Sequence, residues 1–354
     1  PIFMGAIETE YPQALFYLSI WPYLLGVQFD QWADYEKLHE RSGGSYLMHD
    51  LGQGLRIGAV GSSRDVPVEA NAKFLLMLQA YARWTGDVLP VKRHGDLIDR
   101  LARYLLWTDR DNSGFPSEGL GRNADGSLGS ARKQTHLAVK RVAALQAAAD
   151  LLRLIGRTAP ADKCTKAVET DPGKIEARAW LGDHYVVYLN RSVAGMSESW
   201  SGRGSGIGSG GGEVEMTGWD AYSIQTSNGL LLPAVCGQPI LLDPERISAD
   251  LLSATRETLG PYGCGVTSLD PENVCVSQNI WRDLMARYIG ASMLPIASRY
   301  FDLQVMSNTF QQSFGFADSY VMHERSFHPR GIVSLGFLLA GPRIIIDKIG
   351  RAHV

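Results

Sequence analysis

Apolar residues recur at helical spacing along most of the chain. Within residues 67–85, Leu75, Leu78, Ala82 and Thr85 fall on one face, and Pro67 suits a first helical turn. Residues 14–25 form another apolar helical stretch, and Leu97, Leu101, Leu105 and Trp107 continue the pattern. Residues 131–155 follow, with Leu137, Ala144, Ala148, Leu151 and Ile155 at spacings of three, four or seven. Further helices are predicted over 172–189, 219–235, 244–259, 277–288, 293–304 and 331–339. Strand-type alternation is sparse and short, so the expected class is all-α.

Turn-rich loops separate these helices, notably 41–65, 109–127 and 201–212. Long helices joined alternately by short turns and long Gly-rich loops predict a closed ring of helical hairpins with function on the long-loop rim. A solenoid is the weaker alternative, because no fixed period of 30 to 50 residues carries a repeated motif. One domain is expected over 1–348. Residues 349–354, Ile-Gly-Arg-Ala-His-Val, read like a translated sequencing adapter, as in a fragment assembled from environmental reads, and are expected to be a non-native tail.

Composition narrows the function. The 354 residues are 45% hydrophobic and 20% charged, the profile of a chain with a sizeable core. A formal net charge of -3 lacks the basic excess of a nucleic-acid binder. The longest apolar runs, such as 74–78 and 229–235, are far shorter than a membrane span. Cys164, Cys236, Cys264 and Cys275 form no Cys-x-x-Cys or Cys/His cluster; free buried thiols are expected, with a Cys264–Cys275 pair as the alternative. The chain opens at Pro1 with no signal-like segment, so a leader or an upstream domain is expected to be missing. A soluble protein is expected, cytoplasmic on balance, and its oligomeric state is open.

Several motifs admit a plain structural reading. Residues 206–211 satisfy Gly-x-Gly-x-x-Gly, but no strand leads into them, so they read as a flexible loop. Asp109-Arg110-Asp111-Asn112-Ser113-Gly114 resembles the start of a calcium loop, yet its twelfth position is Leu120. A tight Asx turn is the expectation, with structural calcium at Asp109 and Asp111 as the alternative. Glu8 and Glu10 precede an apolar helix, where carboxylates complement the helix dipole. The adjacent His49 and Asp50 either hold sugar hydroxyls or stabilise a turn. Asp125 alone reads as a turn or helix-start residue.

Taken in order, Glu8-Thr9-Glu10-Tyr11, His49-Asp50-Leu51-Gly52, Ser127-Leu128-Gly129-Ser130-Ala131-Arg132 and His328-Pro329-Arg330-Gly331 carry a resemblance over most of the chain. They resemble motifs of the glycoside hydrolase family 52 β-xylosidases. Family 116 β-glucosidases, of the same clan and the same six-hairpin superfamily, share a similar His-Asp-Leu-Gly. The resemblance implies an (α/α)6 helical barrel, incomplete at its ends and normally preceded by a β-sandwich domain. It implies a retaining mechanism in which Glu8 matches the nucleophile and Asp125 the acid/base, with the two carboxyl groups about 5 to 5.5 Å apart. Two departures stand out. Leu15-Phe16-Tyr17-Leu18 replaces the family's Asn-Thr-aromatic-Asp, and a short gap is needed to bring Asp125, rather than Arg122, opposite the acid.

Other rim candidates are Trp219, Asp220, Asn279, Trp281 and Arg282, because sugar sites use aromatic faces and planar polar groups. Their alternative is a place in the helix core. With Glu10, His49, Asp50 and Arg330, they complete the expected substrate-binding set, and Arg330 could pair with Glu8 or Glu10. The expected function is retaining hydrolysis of β-linked glycosides, β-xylosidase-like or β-glucosidase-like. The expected partner is an oligosaccharide or glycoside substrate, with no organic cofactor and no catalytic metal. Alternatives are an inverting glycosidase or lyase on the same scaffold, or a carbohydrate-binding barrel without catalysis.

Overall fold

The computed structural model describes residues 3–53, 56–57, 66–121, 128, 131–192, 213–215, 221–291, 299, 302, 319–321, 324–326, 331–338, 345–346 and 352–353. Its α-helices run, in chain order, α1 Ile7–Ile20, α2 Pro22–Ala33, α3 Pro67–Thr85, α4 Leu89–Arg93, α5 Gly95–Trp107, α6 Thr135–Leu154, α7 Thr158–Ala179, α8 Leu231–Val235, α9 Pro244–Thr258 and α10 Val276–Ile289. A 3-10 helix follows at Gly331–Leu338.

Helix α3 is the centre of the assembly. Every residue from Pro67 to Ala82 is buried, so it is a core helix with no solvent face. Pro67 opens it at a position whose N–H has no intrahelical partner, and Gly86, at φ 72°, closes it by donating to Ala82 O at 3.0 Å. Helix α6 is buried almost as completely, and Ala138, Ala143, Ala144, Ala147 and Ala148 keep its profile thin. Helix α3 packs on α6 on one side and on α1 on the other, while the 3-10 helix joins α1 to α10. Helices α2, α5 and α7 back this inner arc. Helix α5 is correspondingly amphipathic, burying Leu97, Ile98, Leu101, Ala102, Tyr104 and Leu105. The described residues thus form inner helices backed by outer ones; this paired helical layering is the extent to which they reproduce the expected barrel.

The differences from the sequence expectations have local causes. The apolar stretch 14–25 is split at Trp21, because Pro22 cannot donate to a preceding turn and disfavours helical ψ at Trp21, which sits at φ -152° and ψ 74°. Residues 131–155 begin as a strand, Ala131–Gln134, in which Lys133 takes φ 54°, so the helix starts only at Thr135. Helix α7 starts well before 172 and carries Pro172 inside it; its stripe is Ala161, Cys164, Asp171, Ile175 and Ala179. Among the described residues of 219–235, residues 224–230 form turns, Ser223 bridges to Thr267, and helix is confined to Leu231–Val235. The stretch 293–304 lies almost wholly outside the described residues.

An all-α description also omits small antiparallel sheets. One orders Phe3–Met4, Gly52–Gln53 and Arg56–Ile57; another orders Ala131–Gln134, Tyr188–Ser192 and Glu213–Glu215. The largest has five strands, from Leu259–Gly260 through Gly263–Thr267, Asp270–Cys275 and Ser319–Val321 to Glu324–Ser326. Glu36–His39 and Gly44–Leu47 form a hairpin that lies on α5. Gly44 permits that approach, since a Cβ there would meet the Tyr104 backbone nitrogen at 2.8 Å.

The four cysteines are buried free thiols. Among the described residues, no helix is long and apolar enough to cross a membrane.

Candidate active site

The first strand pair brings the His49-Asp50 loop against the start of α1. Leu51 N donates to Met4 O at 2.9 Å and Ile7 N donates to His49 O at 3.1 Å, so both chain segments are held in register. Within that frame, Asp50 Oδ1 accepts from Gly52 N at 3.0 Å, and its Oδ2 lies 2.8 Å from His49 Nδ1. The other ring nitrogen, Nε2, lies 3.0 Å from Glu8 Oε1. Burial by itself would lower the His49 pKa, but hydrogen bonds to Asp50 and Glu8 and their charges outweigh it and raise the ring to about 9. At neutral pH His49 is therefore an imidazolium donating through both nitrogens. Its side chain is 2% exposed and that of Glu8 16%, so Glu8 is the edge of the group that meets solvent.

Glu10 has a different environment. Two residues along a helix is a rotation of roughly 200° about its axis, so Glu8 and Glu10 leave α1 on opposite sides. Tyr17, one face further down, donates to Glu10 Oε2 at 2.8 Å. Burial, then the charge of Glu10, pushes the Tyr17 hydroxyl well above its usual range, so it stays a donor.

A second group beside Glu8 was not anticipated from the sequence. Glu69 and Lys73 lie one turn apart near the start of α3, and His136 and Lys140 one turn apart at the start of α6. Glu69 Oε1 lies 3.3 Å from Lys73 Nζ and accepts a short bond from Lys140 Nζ. Burial raises the Glu69 carboxyl, but Lys140 and Lys73 more than reverse this and hold it well below the carboxylate range. Burial and the neighbouring Lys140 ammonium push His136 down to about 3, so its ring is neutral. Lys140 is lowered to about 8 by burial, partly offset by Glu69 and, at longer range, by Glu8. That last interaction joins the two groups. The sequence offers only polar pairs at i,i+4 spacing, and both helices carry other polar residues, such as Asn71 and Gln79 in α3 and Arg141 and Asp150 in α6, so nothing in the sequence singles these four out.

The wall behind is built from α10 and the turn before α8. Tyr11 and Trp281 both donate to Asn228 O, at 3.1 and 3.0 Å, and their ring centroids are 5.3 Å apart. Asn228 Nδ2 donates to Gln278 Oε1 at 2.6 Å. Glu8, Glu69, His136 and Gln278 all fall within the first three residues of their helices. The site thus gathers helix N-termini, the positive ends of the helix dipoles.

The remaining sequence candidates divide in two. Asn279 is wholly buried: its Oδ1 accepts from Cys264 N at 2.9 Å, and its Nδ2 donates to the carbonyls of Cys264 at 2.8 Å and Cys275 at 2.9 Å. Trp281 packs in the core against Tyr11, and Arg282 donates to Thr255 Oγ1 at 2.5 Å and pairs with Asp283. Asn279 and Arg282 are thus placed in the core rather than on a rim with Glu8, and Trp281 meets the site only as part of the buried wall behind it. Asp125, Trp219, Asp220 and Arg330 lie outside the described residues, as does the glycine run 206–211. Asp109 and Asp111 lie in a tight turn; Asp109 accepts from Ser113 N at 2.8 Å and Gly114 N at 2.9 Å, and Asp111 is 2.6 Å from Lys133 Nζ. Among the described residues no cluster of three or more His, Cys, Asp or Glu could hold a metal ion.

Layered helical hairpins with ionised groups gathered at their N-terminal ends define a helical-hairpin domain with a polar site at one end. The chain belongs to the Glutaminase A six helical-hairpin domain family, whose model matches residues 3–201. The match supports the six-hairpin class expected from the motifs, at a coarser level than family 52. Among solved structures the chain is similar to a GH78 family rhamnosidase of Bacillus sp. GL1, with 15% identity and a TM-score of 0.49 over 76% of this chain. It spans 25% of that protein's chain. No curated protein matches it.

Proposed function

We propose that the chain hydrolyses glycosidic bonds, with Glu8 as the reacting carboxylate. The observation that carries this reading is the His49 imidazolium between Asp50 and Glu8, which holds one Glu8 oxygen in place beside the solvent-facing edge of the site. In the retaining form of the reaction, Glu8 attacks the anomeric carbon while the glycosidic bond breaks, and the leaving oxygen takes a proton from Asp125. Asp125 then removes a proton from water, whose oxygen displaces Glu8 and releases the sugar. A β-xyloside or β-glucoside is the proposed substrate, with Glu10, Trp219, Asp220 and Arg330 as sugar contacts. Glu8→Ala should abolish cleavage of aryl β-xylosides and β-glucosides, and azide should restore it with inverted product. Unchanged cleavage would remove Glu8 from the mechanism; an inverted product from the unaltered protein would favour a single-displacement route; sugar binding without turnover would favour a binding protein.

Amide hydrolysis is a second reading. The family's name refers to glutaminase, and the paired ammonium groups next to Glu8 are suited to a charged substrate such as an amino acid. Release of ammonia from L-glutamine, with no cleavage of aryl glycosides, would select this reading over the first.

A further inference from the structure

Lys73 and Lys140 reach the same oxygen, Glu69 Oε1, from two different helices. Their side chains are 6% and 3% exposed, so water does not solvate them as it would on a surface. Each ammonium has three N–H donors, and among the described residues Glu69 Oε1 is the one acceptor either finds. Two buried cations therefore share one carboxylate, leaving an excess positive charge and unfilled donors in a region of low polarisability, a costly arrangement for structure alone. His136 adds no charge, being neutral, and the N-termini of α3 and α6 add further positive potential. On the other side, Asp50, His49 and Glu8 sum to one negative charge. Helix α1, which carries Glu8, packs on α3, which carries Lys73 and in turn packs on α6 with Lys140, and the Glu8 charge acts at longer range on Lys140.

We propose that Lys73 and Lys140 form a receptor for a carboxylate on the substrate, placing the bond to be cleaved near Glu8. The inference rests on the reading of Glu8 as the reacting group and adds a substrate class to it. The anionic carboxylate of the ligand would fill the ammonium donors left open by Glu69, and its hydroxyl or ammonium donors would face Glu8. A uronic acid and an α-amino acid both supply that chemistry.

Calorimetric titration of the full chain with D-glucuronate and L-glutamate, against D-glucose and L-glutaminamide as uncharged controls, tests the receptor. At least one carboxylate is expected to bind roughly tenfold or more tightly than its control, the scale of one charge-assisted hydrogen bond. Lys73→Met and Lys140→Met should each erase most of that preference. Should Lys140→Met fail to fold, Lys73→Met and the unaltered protein still decide the matter. Equal binding of carboxylates and controls, or a preference that survives in Lys73→Met, would overturn the proposal. The arm that responds identifies the source, glucuronate pointing to a uronide and glutamate to an amino acid. Carboxylate binding together with hydrolysis that ignores Glu8→Ala would leave the receptor standing and remove Glu8. Glu8-dependent hydrolysis without carboxylate preference would do the reverse.

Discussion

His49 Nε2 lies 3.0 Å from Glu8 Oε1 in a site where the histidine is buried and the glutamate is not fully so. The ring, held at about 9 against 6.5 in the unfolded chain, contributes stability that is fully present below pH 6.5 and is lost as pH rises through 9. His49→Phe should therefore cost roughly 2 to 3 kcal/mol at pH 7, and the difference from the unaltered protein should shrink toward pH 10. Urea unfolding at pH 6, 8 and 10 reads this out. A stability difference independent of pH would show that His49 is not charged in the fold.

The opposite directions of Glu8 and Glu10 predict unequal roles. Glu8→Gln should lower kcat by at least about a thousandfold if it forms the covalent intermediate. Glu10→Gln keeps an acceptor for the Tyr17 hydroxyl and should act mainly on KM. Measuring both constants for each variant on one aryl glycoside settles the order; equal loss of kcat would place both carboxylates on the reacting atoms.

How far the sequence revealed this site depends on the kind of signal. Helix α3 was legible to the residue, because Pro67 and Gly86 punctuate an apolar stretch that tertiary packing leaves intact. The break at Trp21 was also written in the chain, at Pro22, but the apolar run across it masked the punctuation. The strand at Ala131–Gln134 was not legible, because it exists only through pairing with Tyr188–Ser192, over fifty residues away. Motif order drew attention to Glu8, His49 and Asp50, and these do meet. Asn279 and Arg282 are rim candidates on residue type alone, with the core as the alternative, since a polar side chain that bonds buried backbone or a buried hydroxyl looks, in sequence, like one facing a sugar. Glu69, Lys73, His136 and Lys140 match no motif; what marks them is burial of charge, which becomes visible only once α3 and α6 are packed.

Asp250 offers a test on the far side of the core. Its Oδ1 accepts from Tyr185 N at 2.8 Å, while its buried Oδ2 has no hydrogen-bond partner. Burial pushes the carboxyl up to about 7, with the Tyr185 N–H and Thr226 hydroxyl opposing. The folded value exceeds the unfolded 3.8, so the relative stability it confers is present below pH 3.8 and is lost as pH rises through 7. Asp250→Asn retains an acceptor for Tyr185 and cannot ionise. It should stabilise the protein at pH 8 by on the order of 1 to 3 kcal/mol relative to its effect at pH 4. Melting temperatures at the two pH values give the comparison, and an equal shift at both would contradict a neutral buried carboxyl.

Asp109 separates a turn from a calcium site. Its Oδ1 accepts from the N–H of Ser113 at 2.8 Å and the hydroxyl at 3.2 Å, and its Oδ2 accepts from Gly114 N at 2.9 Å with Arg141 Nη2 at 3.7 Å. Arg141 in turn is buried, pairing with Asp171 at 2.8 Å and donating to Leu105 O at 2.8 Å, so the turn is tied to α5 and α7 by a network of fixed charge. A calcium ion needs six or more oxygens, and these donors already occupy both oxygens of Asp109. Adding a chelator should therefore leave the melting temperature unchanged, and adding calcium should not raise it. Asp109→Ala should cost about 2 to 4 kcal/mol, because it strips acceptors from two backbone N–H groups and leaves part of the Arg141 charge unpaired in the core. A melting temperature that climbs with calcium in the unaltered protein, and no longer does so in Asp109→Ala, would assign the turn to the cation instead.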